Sequence, residues 1–162
     1  MVALGNIDRH IVEGSARTAL AAVGSFLIAR LFHMPEAYWA SISTIIVIQS
    51  TLGAALTISW QRFCGTVLGA GAGALLSVYF RSSLPMFGLG VFLLGLICAV
   101  LQLRTAYRFA GVTLAITMLI ARDKPAWVVA AHRFIEVSVG IAVGLVVTAV
   151  WPLPEKKAAG RG

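Results

Sequence analysis

Apolar residues in this chain come in long unbroken runs, not in the alternation of a half-buried strand or the one-sided stripe of a soluble helix. The runs cover residues 11–32, 37–60, 62–80, 84–103, 107–121 and 130–151. Most reach the roughly 20 residues that a helix needs to cross a bilayer. The fifth is the shortest, because Arg108 and Arg122 leave scarcely enough apolar length between them. The breaks carry Pro35 with Glu36, the stretch from Arg81 to Pro85, Arg104 with Arg108, and the stretch from Arg122 to Pro125. Lipid offers the backbone no hydrogen-bond partners, so each run must satisfy its own groups as a helix, and a transmembrane barrel would show short alternating strands instead. The pattern predicts an all-α polytopic membrane protein of six transmembrane helices. Residues 1–10 are then a cytoplasmic N-terminal segment, 11–152 the membrane domain and 153–162 a short polar tail.

Composition supports this reading. The chain has 162 residues, 59% of them hydrophobic and 12% charged, where a soluble domain is about half apolar and about a quarter charged. The formal charge of +7 would raise nucleic acid for a soluble protein. Here the basic residues stand singly beside apolar runs, which suits membrane topology and leaves no nucleic-acid surface. With both termini inside, the inner face collects Arg9, Arg17, Arg62, Arg104, Arg108, Lys156, Lys157 and Arg161. The outer face receives Arg30, Arg81, Arg122, Lys124 and Arg133. That bias favours cytoplasmic termini. Asp8, Arg9 and Glu13 precede the first run, which therefore reads as a retained span and not a cleaved signal peptide. Cys64 and Cys98 lie inside apolar runs and read as small buried hydrophobes. His10, His33 and His132 have no metal-ligand spacing, and no Walker loop or nucleophile–base grouping stands out. No enzyme, cofactor or metal is expected.

Two runs open alike. Arg62-Phe63-Cys64-Gly65 leads to Gly69 and Gly73, and Arg133-Phe134-Ile135-Glu136 leads to Gly140 and Gly144, 71 residues later. The same offset sets Ala40 on Gly111, just after Tyr38-Trp39 and Phe109-Ala110. The chain reads as two units of three spans. An odd number of spans turns the second unit upside down relative to the first, the inverted-repeat plan of many secondary transporters.

With those segments placed, the sequence resembles the fusaric-acid-resistance-like, or aromatic acid exporter, family. The resemblance rests on Tyr38-Trp39-Ala40-Ser41-Ile42-Ser43, then Val47-Ile48-Gln49, Gly53 and Arg62-x-x-Gly65-Thr66-x-x-Gly69. In the second half it rests on Arg133-x-x-Glu136-x-x-x-Gly140, running to Trp151-Pro152. It implies a six-helix bundle in a bacterial inner membrane that exports organic, chiefly aromatic, carboxylates. The plant aluminium-activated malate transporters are similar at greater distance. Large bacterial members carry a soluble region and often a second bundle, which this sequence lacks, so a homodimer is expected. A dimeric passive anion channel and a non-transporting assembly subunit are the alternatives.

Arg62 and Arg133, each expected to open a span, are the leading candidate residues. An arginine in hydrocarbon normally faces protein, a counter-charge or water, and its planar fork can grip a carboxylate with two hydrogen bonds. Snorkelling to the interface is the competing reading. Glu136 lies one helical turn from Arg133, either as its salt-bridge partner or as a carboxylate that takes up and releases a proton. Glu13 and Arg17 repeat the arrangement at four-residue spacing, with Arg9 one turn earlier, either as a charged entry ladder into the bilayer or as a second proton-coupling site. Gln49 and Thr44 lie in the most polar run and either line a path or bond to a neighbouring helix. Trp39 fits an interfacial belt or stacking on an aromatic ligand. Gly65, Gly69, Gly73, Gly140 and Gly144 form small-residue stripes for close helix packing.

Overall fold

The computed structural model describes residues 9–49, 51–80, 83–103, 105–120 and 125–152, and the elements among them are all helical. They are α1 (Arg9–Leu31), α2 (Tyr38–Val47), α3 (Leu52–Tyr79), α4 (Leu84–Val100), α5 (Ala106–Ala115) and α6 (Ala126–Val150). A π-helical turn, Ile116–Ile120, continues α5. Three helices, α1, α3 and α6, are long and apolar enough to cross a membrane, and the others are shorter apolar helices.

One boundary differs from the sequence expectation in a way that moves the site. The expected second run, 37–60, is not one helix. α2 stops at Val47, Ile48 is extended, and α3 starts at Leu52 behind Thr51, whose side-chain oxygen accepts the Ala54 N–H at 3.3 Å. Thr51 is a good N-cap, whereas Gln61, where the break was expected, is a good helix former. The 28 residues of α3 span about 42 Å. Arg62 therefore does not open a helix but lies roughly 15 Å inside one. α6 likewise begins at Ala126 behind Pro125, four residues earlier than expected, and Arg133 sits about two turns in.

The turns that follow α1 and α4 share a geometry. His33 (φ 55°) and Gln102 (φ 58°) are the only non-glycine residues with positive φ among those described. Around them, Met34 N–H donates to Ala29 O at 3.0 Å and His33 N–H to Arg30 O at 2.9 Å. Leu103 N–H donates to Cys98 O at 2.9 Å and Gln102 N–H to Ala99 O at 3.1 Å. Both are Schellman closures, which satisfy carbonyls left open at a helix end.

At the centre α3 and α6 run antiparallel. The Phe63 and Phe134 rings meet edge to face at 5.2 Å, and Leu56, two turns earlier, shares a groove with Ile141, two turns later. α5 lies along α3, and α2 lies along α6. α1 covers α2, and α4 covers α5. The first apolar cluster is Leu94, Ala110, Leu114 and Met118, with Leu68 and Leu76 of α3 against it. The second, Ala29, Ala37 and Ala40 with Val139, joins α1 and α2 to α6.

Glycines set how closely these helices approach. A Cβ on Gly69 would lie within 3.0 Å of the Ala110 backbone, and one on Gly140 within 3.0 Å of Ala40 O and Ser43 Cβ. Gly65 meets Ala106 O and Phe109 Cβ as closely, while Gly73 is against Thr117 and Gly144 against Val47. Lipid supplies no hydrophobic drive between helices, so backbone approach of this kind provides the association. Gly71, on the same helix as Gly69, has open space where its Cβ would be. Gly69→Ala and Gly140→Ala are each expected to destabilise the bundle by about 1–3 kcal/mol, while Gly71→Ala leaves it unchanged. Unfolding in mixed micelles, followed by circular dichroism, compares the three.

Candidate functional site

The two arginines that head the glycine stripes both turn inward. Arg62 is 6% exposed and Arg133 2%, and they line one small cavity together with Trp39, Thr66, Phe109, Thr113 and Ile116. α3 brings Arg62, α6 brings Arg133, and α2 and α5 bring the two aromatic rings. The Arg62 guanidinium lies over the Phe109 ring at 4.9 Å and that of Arg133 over the Trp39 ring at 4.1 Å. Stacking of this kind holds a guanidinium flat and is strongest away from water. The cavity measures about 20 Å³, room for roughly one water molecule.

The two guanidinium groups are satisfied differently. Arg133 makes its close ion pair with Glu36, in the turn before α2, and stands 3.7 Å from Glu136 on its own helix. Glu136 is fully buried and accepts the Glu36 backbone N–H at 3.0 Å. Tyr38 hydroxyl donates to Glu36 Oε2 at 3.2 Å. One guanidinium is thus shared by two carboxylates. Arg62 has no carboxylate against it among the described residues. Its Nη2 donates to Ser43 Oγ at 3.0 Å, and Ser43 in turn donates to Trp39 O at 2.7 Å. Its Nε is buried without a hydrogen-bond partner, as are Nη1 of Arg133 and Nε of Arg17. A buried cation normally has a paired counter-charge, so Arg62 is the electrostatically open position of the cluster.

The remaining candidates lie elsewhere. Thr44, fully buried, bonds to Ala40 O and Gly140 O at 3.0 Å, inside the α2–α6 contact and outside the cavity. Gln49 lies past the end of α2, where its Nε2 donates to Ile46 O at 3.3 Å. Glu13 is one turn before Arg17 on α1. Arg17 is 2% exposed, and its Nη2 donates to Gln49 O at 2.5 Å and its Nη1 to Trp151 O at 2.6 Å. It closes carbonyls at the ends of α2 and α6, a favourable place for a cation. Trp151 follows Arg133 by 18 positions along α6, about 27 Å, so Gln49 and the Glu13 segment belong to the opposite end of the bundle from Arg133. Glu36, Phe109 and Ser43 were missed as site residues. Phe109 had a signal, since it stands 70 residues after Trp39. Glu36 had none beyond its place after Pro35.

Long apolar helices around a buried arginine cluster define an integral membrane protein. The chain belongs to the fusaric acid resistance protein-like family, whose pattern matches residues 21–147. It is similar to the inner membrane protein YeeA of Escherichia coli K12, at 29% identity over 152 residues, covering 90% of this chain and 43% of that one. It is also similar to the uncharacterized transporter YdhK of the same strain, at 31% identity over 151 residues, covering 84% of this chain and 22% of the relative. The chain therefore spans less than half the length of either relative. No solved structure matches it.

The arginine–ring contacts are open to direct measurement. Double-mutant cycles on Arg62→Met with Phe109→Leu, and on Arg133→Met with Trp39→Leu, are each expected to give a coupling of about 0.5–2 kcal/mol in unfolding. Arg62→Met with Trp127→Leu should give none.

Proposed function

We propose that this protein is a transporter that exports organic carboxylate anions, aromatic ones among them, across a bacterial inner membrane. The observation that carries the reading is the convergence of two buried guanidinium groups and two aromatic faces on one cavity, with no acidic partner on Arg62 among the described residues. A benzoate-like anion needs those two parts, a forked cation for its carboxylate and a flat apolar surface for its ring. The printed names of the relatives, a transporter and an inner membrane protein, support the class and the membrane. The excess of basic residues on one side supports cytoplasmic termini.

We read the helices as six spans in two inverted units, residues 11–152 forming one membrane domain. The contacts pair off by the repeat, at an offset of 71 between α3 and α6 and of 70 between α2 and α5. Phe63 and Phe134, equivalent positions, touch each other, as residues on a two-fold axis do. Gly69 sits on Ala110 and Gly140 on Ala40. Arg62 stacks on the ring from the second unit and Arg133 on the ring from the first. α2 is too short to cross as helix alone, and its unwound end finds protein partners through Arg17, as irregular backbone at membrane depth must.

A cavity of about 20 Å³ admits no carboxylate without helix movement. That favours a carrier over a standing pore. Proton coupling is assigned to Glu136, because Glu13 belongs to the other end of the bundle. Proteoliposomes holding the purified protein are expected to show saturable benzoate flux. Arg62→Ala should cut it by roughly 30-fold or more, the loss for truncating one partner of a buried charged contact, and Arg62→Lys should restore part of it. Large voltage-dependent currents without saturation in planar bilayers, or full flux in Arg62→Ala, would overturn the reading.

A further inference from the structure

Arg133 differs from Arg62 in being held by the protein's own carboxylates. At the positions equivalent by the 71-residue offset, Glu136 corresponds to Gly65 and Glu36 to Tyr107, so the Arg62 half carries neither acid. We propose that Arg133 is handed from Glu36 and Glu136 to the carboxylate of the transported anion when one proton binds, so that proton and anion occupy the site together and cross as a pair. The proposal rests on the anion-transport reading above and adds the sign and the residues of its coupling.

In the structure both carboxylates claim one guanidinium, Glu36 closely and Glu136 at 3.7 Å. An incoming carboxylate would be the third anion on the same group, and like charges crowded at one cation repel it. A proton on Glu36 or Glu136 removes one of the two claims and lets Arg133 join Arg62 on the substrate. Departure of the anion returns Arg133 to the carboxylates and releases the proton. The balance is one proton taken from water onto a carboxylate oxygen as the anion binds, and the same proton lost as it leaves. Glu36 gives this exchange a route, because its side chain is 39% exposed while that of Glu136 is fully buried, and the two are joined through the Glu36 N–H.

The surroundings contain few competing charges among the described residues. α3 contributes Arg62 across the cavity, α2 contributes the Tyr38 hydroxyl on Glu36, and α5 contributes the uncharged Phe109, Val112 and Thr113. α1 ends with Arg30 and His33, both exposed, and His132 is the other titratable group on this part of α6. Proton and anion bound together would let an accumulated organic acid leave down its own gradient without moving net charge, a relief route and not a gradient-driven pump.

Benzoate binding to the full chain in detergent, by calorimetry in buffers of different ionisation enthalpy from about pH 6 to 8, where benzoate is ionised, tests this. Uptake of about one proton per benzoate is expected, with Kd weakening by up to about tenfold per pH unit where the uptake is seen. Glu36→Gln and Glu136→Gln should each reduce the uptake and flatten that slope. Benzoate binding with no proton exchange, with proton release, or with full uptake retained in both variants overturns the hand-over while leaving the anion site standing. Absence of benzoate binding in the wild type overturns both. Should Glu136→Gln fail to fold, the partly exposed Glu36→Gln and the wild-type proton count decide the matter.

Discussion

A guanidinium buried between lipid-embedded helices must find its partners inside the protein, and this constraint organises the structure around Arg62, Arg133 and Arg17. Each is at least 94% buried, and each solves the problem differently. Arg17 spends its two terminal nitrogens on carbonyls where α2 and α6 stop. Arg133 takes a stacked ring and two carboxylates. Arg62 takes a ring and a serine hydroxyl. Each keeps one buried nitrogen without a hydrogen-bond partner, and among the described residues Arg133 has two carboxylates against it and Arg62 none. The proposed anion contact rests on the Arg62 arrangement, and the proposed proton site on that of Arg133.

The glycine contacts make these arrangements possible. A ring can stack on a guanidinium from another helix only if the two backbones run close enough, and Gly65 and Gly140 bring α5 and α2 into direct backbone contact with α3 and α6. Rigid approach and open electrostatics therefore come from the same stretches, Arg62 to Gly73 and Arg133 to Gly144. The π-helical turn at Ile116–Ile120 lies at the edge of the same cavity, where departures from regular helix often accompany function.

Much of this was legible in the sequence. Unbroken apolar runs gave the all-helical membrane class, because lipid permits no other use of them. The repeat of Arg-Phe followed by glycines at four-residue spacing pointed to the two residues that line the cavity. Helix boundaries were less legible. Polar residues interrupt the apolar run both at Gln49-Ser50-Thr51 and at Gln61-Arg62, so hydropathy cannot tell which is the break; the N-capping oxygen of Thr51 does, by a local hydrogen bond. The roles of Gln49 and Thr44 were illegible for a related reason. Polarity in an apolar run says that a group needs a partner, and here the partners are backbone carbonyls, Gly140 O across the helix contact for Thr44 and Ile46 O, three residues back along the chain, for Gln49. Glu36 was hidden by its place in a turn, since only folding brings residue 36 to residue 133.

The separation of Glu13 from Glu136 bears on how the two ends of the bundle differ. Residues equivalent to Arg17, Gln49 and Trp151 by the repeat offset are Gly88, Ile120 and Phe80, and none of the three can reproduce a guanidinium bound to two carbonyls. The end where α2 and α6 finish is therefore tied by charge-assisted hydrogen bonds, each stronger than a neutral one, and among the described residues no equivalent tie stands where α5 and α3 finish. In the proposed two-unit reading, halves alike in backbone contacts but unlike in their ties need not open equally easily at both ends. The Arg133 cluster, with its partly exposed Glu36, lies at the start of α6, away from the Arg17 tie. In the proposed carrier, proton access through Glu36 and the Arg17 tie thus fall on opposite sides of the cavity, so the two ends of the bundle are chemically unlike.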